Sequence, residues 1–242
     1  MTRQPEDPVA DFTLYYWPLP FRGHFVRAVL AHVGAEVDLP DADAVSAMMQ
    51  RAPKDQPVPF MAPPMLMDDA ARVALAQLPA ILFHLGDRFS LIPDDADRAA
   101  LTVKIVNDAN DVLDEITLNG GQQMWTADRW NTFRPRLARW MAIWEETGRR
   151  HGLGQDEGFL LGGEAPGLAD LTTAILWGTM TEKLPALDPV LKKNAPMVHA
   201  LCRRLMASEP LKLLQRQAAE DYGKTYCGGQ IEASLRAVLA EV

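Results

Sequence analysis

The chain has 242 residues, of which 48% are hydrophobic and 23% charged, and its formal net charge is −8 at pH 7. This composition is that of an ordinary globular protein, and it excludes intrinsic disorder. The two cysteines, Cys202 and Cys227, have neither CxxC nor metal-binding spacing, which excludes a disulfide scaffold and indicates a reducing compartment without a structural zinc. The excess of acidic residues disfavours a nucleic-acid partner.

The ends and apolar stretches of the sequence bear on its location. Residues 1–11 are polar and contain two prolines, and no apolar run reaches the ~18 residues that a membrane span needs. We therefore expect that the protein has no export signal and no membrane partner, and that it is cytoplasmic.

The first quarter of the chain has a mixed pattern. Residues 12–16 are aromatic and β-branched, which predicts a strand, and the apolar spacing between Phe25 and Val33 predicts a helix that ends at Gly34. Residues 35–39 predict a second strand. Residues 40–59 have few apolar side chains and several prolines, so we expect an irregular loop with at most one helical turn.

A second mixed unit follows. Residues 65–67 and 73–75 predict a hairpin, and residues 77–86 predict a helix with Pro79 in its first turn and Gly86 as its stop. Downstream of a polar linker at residues 87–95, the apolar spacing is helical throughout. The predicted fold is therefore α/β plus all-α, with domains at residues 1–86 and 96–242.

The helical half contains one clear helix-start signal. Asp170 lies three residues after Gly167 and opens an apolar run, as in a helix whose third residue is acidic. Long helices are predicted over residues 101–116 and 130–144, and shorter ones over 198–206 and 231–242. Cys202 lies on an apolar helix face and is expected to be a buried core thiol.

Five motifs occur in order along the chain: Tyr16-Trp-Pro-x-x-x-Arg22, Pro63-Pro64-Met-Leu66, Gln77-x-x-Ala-Ile, Lys104-Ile-Val-Asn-Asp108 and Gly167-Leu-Ala-Asp170. Together with the order of elements, they resemble the tyrosine-type members of the glutathione transferase superfamily. The resemblance implies an N-terminal thioredoxin-like, glutathione-binding domain followed by an all-helical domain. It also implies a homodimeric glutathione S-transferase that conjugates or reduces a small hydrophobic electrophile, with glutathione as co-substrate.

The resemblance makes Tyr16 the catalytic residue. A thiol with a pKa near ~8.5 is mostly protonated at neutral pH, so an enzyme that uses glutathione must stabilise the thiolate. A tyrosine hydroxyl beside a helix N-terminus can donate that hydrogen bond. The alternative for Tyr16 is a strand-end ring packed on the core. Tyr15 is expected to lie on the other face of the strand.

Two further positions follow from the same motifs. Arg22 is implied to support the thiolate by its charge, and its alternative is a solvated arginine at a helix start. Pro64 is implied to follow a cis peptide. The residue before it, which in the family uses both its N–H and its C=O to bind glutathione, is here Pro63, so one of those hydrogen bonds cannot form.

The γ-glutamyl end of glutathione is implied to contact Gln77, whose alternative is a polar helix cap. Leu78 replaces the serine or threonine that normally follows, which leaves its backbone N–H and the helix N-terminus as anion ligands. Asp108 is implied to reach the ligand in the partner subunit, although an exposed helix position is its alternative. Losing a hydrogen bond to a charged group costs about 1.5 to 3 kcal/mol, so Pro63 and Leu78 together are expected to weaken glutathione binding.

The second hypothesis is therefore a non-enzymatic binding or scaffold protein that kept the fold and lost glutathione affinity.

The electrophile site is less defined. Met124 and Trp125 are candidates for its lining, and core packing is the alternative for both. The C-terminal helix at residues 231–242 is expected either to fold over that site or to cap the domain.

Overall fold

The computed structural model describes residues 10–240; the polar segment in which we expect no export signal lies mostly outside this range. Four strands are present, β1 (Phe12–Tyr15), β2 (Val37–Asp38), β3 (Met65–Asp68) and β4 (Val73–Ala76). The helices are α1 (Arg22–Val33), α2 (Ala42–Gln50), α3 (Leu78–Arg88), α4 (Ala96–Ile116), α5 (Leu118–Gly121), α6 (Ala127–Arg150), α7 (Leu168–Thr173), α8 (Met180–Lys183), α9 (Asp188–Asn194), α10 (Pro196–Met206), α11 (Glu209–Tyr222) and α12 (Gly229–Leu239). Within this range, none of the helices combines the length and apolar character needed to cross a membrane.

The strands form one mixed sheet in the order β2-β1-β3-β4. β1 pairs in parallel with β2, and β3 is antiparallel to both β1 and β4. A parallel pair needs a crossover connection, which α1 supplies. The mixed N-terminal unit and the helical remainder confirm the predicted fold class. The domain division at residues 86 and 96 stays a prediction.

Alternate side chains of β1 face the protein core. Phe12 and Leu14 are buried, as expected for a strand with one face on the core. α1 packs beside it and ends at Gly34, whose φ of 70° lies in the left-handed region that glycine adopts without strain. The predicted end of this helix is confirmed.

The segment after β2 contradicts the sequence prediction. Residues 40–59 were expected to be irregular, yet α2 runs for nine residues, Ala42–Gln50. Its N-cap is Asp41, whose side chain accepts a hydrogen bond from the Ala44 amide at 2.8 Å. Only Val45 and Met48 on this helix are buried, so its apolar signal is weak, and three of the four prolines in the segment follow the helix.

The predicted stop at Gly86 is also wrong, because α3 continues to Arg88. A Cβ at Gly86 would lie 2.8 Å from the Leu168 side chain at the start of α7, and 2.9 Å from that of Ile92. The glycine therefore permits close packing between elements rather than a turn.

The predicted start of α7 is confirmed. Asp170 is buried, and its carboxylate accepts hydrogen bonds from the Gly167 amide at 3.0 Å and the Leu160 amide at 2.7 Å. This carboxylate joins the helix start to the preceding loop. Cys202 is buried against the same region, as expected.

Candidate functional site

Strand register brings three of the candidate residues to one edge of the sheet. Tyr15 pairs with Met65, and Met65 pairs with Ala76. Tyr16 follows Tyr15 at the end of β1, Pro64 precedes Met65 at the start of β3, and Gln77 follows Ala76 at the end of β4. These three residues therefore lie at the same end of the sheet. Tyr16 thus becomes a neighbour of residues 48 and 61 positions later in the chain, because antiparallel register fixes which strand ends meet.

The Tyr16 ring lies on the first turn of α1. An ideal Cβ at Gly23 would be 2.3 Å from both Cγ and Cδ1 of Tyr16, so the ring occupies the space that a side chain at this position would fill. Tyr16 is 5% exposed. Sequence reasoning missed this contact, although the place of Gly23 between Arg22 and His24 at a helix start was visible.

Arg27, one helical turn beyond Gly23 on α1, contacts both the Tyr16 ring and the loop that follows Tyr16. Its guanidinium lies 5.9 Å from the Tyr16 ring centroid and 5.5 Å from that of Tyr222 in α11. It donates to the carbonyl oxygens of Trp17 and Leu19, each at 3.2 Å. Arg27 therefore fixes the loop that follows Tyr16.

The protonation of Tyr16 follows from its surroundings. Burial raises the pKa of the phenol to about 12, against the opposite effects of the Arg22 charge, the backbone N–H groups of Arg22 and Gly23, and the Arg27 charge. The phenol is therefore neutral at physiological pH. It can donate a hydrogen bond to an anion, but it cannot act as a base.

Arg22 links α1 to the helical half of the molecule. Its guanidinium forms an ion pair with Asp114 of α4, and its Nε donates to the Asn110 side chain at 3.3 Å. The side chain is 20% exposed, which differs from the fully solvated alternative. The positive charge of Arg22 acts to lower the pKa of Tyr16, while its hydrogen bonds are made to side chains of α4.

The proline loop lies beside Tyr16 with the expected backbone form. The peptide between Pro63 and Pro64 is cis, and both residues are buried. Pro63 has a carbonyl oxygen but no N–H to offer a ligand.

The third part of the site is the start of α3. Gln77 is exposed, has a φ of 74°, and makes no side-chain cap hydrogen bond, which disfavours the plain helix-cap alternative. Leu78 has its side chain buried in the core. Pro79 has no N–H, and the Ile81 amide bonds to the Gln77 carbonyl at 3.1 Å. In the described chain, the first-turn amides available to an anion are therefore those of Leu78 and Ala80.

Asp108 lies in the middle of α4. Its carboxylate forms an ion pair with Lys104, one turn earlier on α4, and its side chain is 17% exposed. A role across a subunit interface stays a prediction.

Comparison with known proteins gives this site its context. A family model described as "Glutathione S-transferase, C-terminal domain" matches residues 101–238, more than half of the chain. The chain belongs to the glutathione S-transferase superfamily. Among curated protein sequences, no match is found.

Solved glutathione S-transferase structures share the fold. NaGST-2 superimposes with a TM-score of 0.68 and 18% identity, covering 86% of this chain and 97% of that one. The pi-class glutathione S-transferase of Onchocerca volvulus gives 0.69 and 18%, covering 90% and 98%. Na-GST-3 of the hookworm Necator americanus, described as monomeric, gives 0.68 and 19%, covering 85% and 96%. At such identities the likeness shows the fold alone.

Within this glutathione S-transferase fold, the region expected to line the electrophile site is packed against α12. The Trp125 amide donates to the Ser234 hydroxyl at 3.0 Å, and that hydroxyl lies 3.8 Å from the Met124 sulfur. Trp125 is 5% exposed, and its ring packs on Trp130 and Phe133. The structure thus favours the core-packing alternative for Trp125, with α12 folded over this region.

Several cavities lie in the helical part of the molecule, and Trp125 lines one of them. Five cavities of about 360 to 800 Å³ are lined by residues between 115 and 215. None of these five cavities is lined by Tyr16, Pro64 or Gln77; Tyr16 itself is 5% exposed, whereas Gln77 is exposed.

Proposed function

We propose that the protein is a glutathione S-transferase in which the neutral Tyr16 phenol stabilises the glutathione thiolate. The observation that supports this proposal is the meeting of Tyr16, Pro64 and Gln77 at one sheet edge beside the N-terminus of α1. A donor held in a buried setting stabilises an anion more strongly than it would in water.

The other candidate residues have distinct parts in the proposal. The Pro63 carbonyl and the Leu78 amide would hold the glutathione backbone and its γ-glutamyl carboxylate, with Gln77 beside them. Arg22 favours the thiolate by its charge. The thiolate then attacks an electrophilic carbon of a small hydrophobic substrate, so that a sulfur–carbon bond forms while the bond to the leaving group breaks and that group departs with the electron pair. In the reductive alternative, two glutathione molecules are oxidised to the disulfide as the acceptor gains two electrons. In either case the thiol proton passes to solvent.

Calorimetric titration with glutathione, together with a conjugation assay on a chloronitroaromatic probe, tests this function. Tyr16→Phe should lower kcat/KM at neutral pH by about tenfold to a thousandfold, the range for loss of one donor to a developing anion. Tyr15→Phe is the matched control, since Tyr15 lies on the opposite face of β1, and it should retain activity. Absence of both heat and turnover at millimolar glutathione would refute the proposal.

We further propose a cytoplasmic homodimer without nucleic-acid or membrane partners. Its support is the family resemblance and the position of Asp108 on the partly exposed face of α4. Analytical ultracentrifugation decides the oligomeric state. In a dimer, Asp108→Ala should weaken glutathione binding, whereas a monomeric wild type would contradict the shared site.

A second candidate function is that of a binding or scaffold protein that no longer holds glutathione. Pro63 and Pro79 each remove a backbone donor from the site, and Leu78 removes a hydroxyl. Glutathione bound beside Pro64 in a crystal would exclude this candidate.

A further inference from the structure

A cavity of about 540 Å³ lies among α8, α9, α10 and α11. All of its lining residues fall between Gly178 and Gln215, so it is separate from the Tyr16 site. Sites for small molecules in proteins have volumes of about 300 to 1,000 Å³. The cavity is therefore large enough to hold a ligand of its own.

The floor of this cavity is apolar. Leu191, Cys202 and Met206 line it and are buried. Gly178 belongs to the π-helical segment Ala174–Thr179, and a Cβ at Gly178 would lie 3.1 Å from Cγ of Met206, so the segment and α10 meet closely here. Short π-helical turns within α-helices are frequent at functional sites. This floor suits an apolar side chain of a ligand.

The lining includes four ionisable side chains, which are Glu182, Asp188, His199 and Arg203. The Glu182 carboxylate is already engaged, since it pairs with Lys183 at 3.3 Å and accepts a hydrogen bond from the Gln215 side chain at 2.9 Å. Asp188 is only half engaged. Its Oδ1 lies 2.9 Å from Nε2 of His199, whereas its Oδ2 has no hydrogen-bond partner among residues 10–240.

Arg203 also has unused hydrogen-bonding capacity. It is exposed at the cavity, and within the described part of the chain its guanidinium makes neither a hydrogen bond nor an ion pair. His199, the partner of Asp188, precedes Arg203 by four residues on α10, which places the two side chains about 6 Å apart along the helix axis. The cavity thus offers an anionic acceptor and a cationic donor about one helical turn apart.

We propose that this cavity binds a short zwitterionic peptide, of about two residues, with apolar side chains. Arg203 binds the C-terminal carboxylate of the peptide, for which its planar guanidinium is well suited. Oδ2 of Asp188 accepts a hydrogen bond from the N-terminal ammonium, and the peptide side chains pack on Leu191 and Met206. Two extended residues span about 7 Å, which matches one helical turn, whereas a single amino acid spans only about 3.5 Å. This proposal does not rest on the proposed function.

Calorimetric titration of the full chain with L-leucyl-L-leucine tests the site. The wild type should bind one peptide, and Arg203→Gln and Asp188→Asn should each weaken binding about tenfold to a hundredfold, as expected for loss of a hydrogen bond to a charged group. Arg139→Gln and Asp128→Asn are the matched controls, because both remove exposed charges outside this cavity, and they should keep wild-type affinity. Absence of binding to the wild type at millimolar peptide would overturn the proposal, as would equal affinity for free L-leucine.

Peptides blocked at one end assign each contact. N-acetyl-L-leucyl-L-leucine lacks the ammonium, so it should bind more weakly than the free peptide, and Asp188→Asn should weaken it no further. L-leucyl-L-leucine amide lacks the carboxylate and should be insensitive to Arg203→Gln for the same reason. If either substitution weakens binding of the blocked and the free peptide equally, the assignment of the two ends is overturned.

NMR spectra of the protein labelled at its methionine methyl groups locate the bound peptide. The Met206 signal should shift on addition of L-leucyl-L-leucine, while that of Met48, buried in α2, should not. A shift of Met48 without one of Met206 would place the peptide elsewhere and overturn the proposal. The same spectra show whether Arg203→Gln and Asp188→Asn retain the native fold, so that loss of binding is not confused with unfolding.

Discussion

Gly23→Ala tests the packing on which the Tyr16 site depends. The added Cβ would lie 2.3 Å from Cγ and Cδ1 of Tyr16 and 2.8 Å from its Cβ. Carbon atoms in contact are normally about 3.5 to 4.0 Å apart, so the ring must retreat by roughly 1 Å or more. The ring is buried, and Arg27 holds the loop that follows it, so this retreat disturbs the whole loop.

The expected effects on stability and activity differ in size. Overpacking of this kind costs about 1 to 3 kcal/mol, and alanine is favoured over glycine in a helix by about 1 kcal/mol. The net loss of unfolding free energy is therefore roughly 0 to 2 kcal/mol. A displacement of about 1 Å in a catalytic group can lower activity about a hundredfold. Activity should thus fall far more than stability.

Urea unfolding and the glutathione conjugation assay measure the two effects on the same protein. Gly148→Ala is the matched control, because its Cβ would also be too close to a neighbour, at 2.5 Å from a Leu153 side-chain carbon, but in α6. This control should lose stability and keep its kcat/KM.

A double-mutant cycle separates the packing argument from any assumption about function. In a Tyr16→Gly background neither the ring nor the Cβ of Tyr16 occupies the space above Gly23, so Gly23→Ala should become neutral or stabilising. If Gly23→Ala destabilises both backgrounds equally, or if it leaves the activity of the otherwise native chain unchanged, the packing argument is refuted.

Three further predictions concern ionisable groups. Asp68 is buried and accepts hydrogen bonds from His84 at 2.7 Å and Arg88 at 2.8 Å. Asp68→Asn should lower the unfolding free energy in urea by about 3 kcal/mol, whereas the exposed neighbour Asp69→Asn should have little effect, and equal effects would contradict a buried pair. Burial raises the pKa of Asp170 from 3.8 to about 6, so the folded state binds this proton more tightly and the contribution of Asp170 to stability falls as the pH rises through that interval. The stability difference between wild type and Asp170→Asn should therefore decrease by up to about 3 kcal/mol between about pH 4 and 7, and a constant difference would refute it. The pKa of Tyr16 is about 12, so the phenol stays protonated over the usual assay range. As the pH rises, kcat/KM for conjugation should therefore increase to a plateau set by ionisation of the bound glutathione thiol. A decline in kcat/KM below about pH 10 would contradict a neutral Tyr16 donor.

Much of the fold could be predicted from the sequence, because short-range sterics and periodicity determine it. The strand at residues 12–16, the helix end at Gly34 and the helix start at Asp170 depend on neighbours within a few positions. The helix α2 was missed because only two of its side chains reach the core, so its formation depends on its cap and on distant contacts.

The candidate site could be predicted in part. Family motifs pointed to Tyr16, Pro64 and Gln77, and strand register brings these residues together. Arg22 was also predicted, but its partner Asp114 on α4 was not, since an ion pair between helices leaves no periodic signal. Asp108 was predicted as well, and its partner Lys104 lies four residues earlier on the same helix.

The sequence by itself determined the order of elements and the residues available for chemistry. Tertiary structure alone decided that Gly23 makes room for the Tyr16 ring, that Gly86 admits Leu168, and that the Tyr226 ring packs edge-on against Phe21. A glycine or tyrosine has the same local propensities whether it faces solvent or a distant ring. Its role is set by atoms that approach it only when the chain is folded.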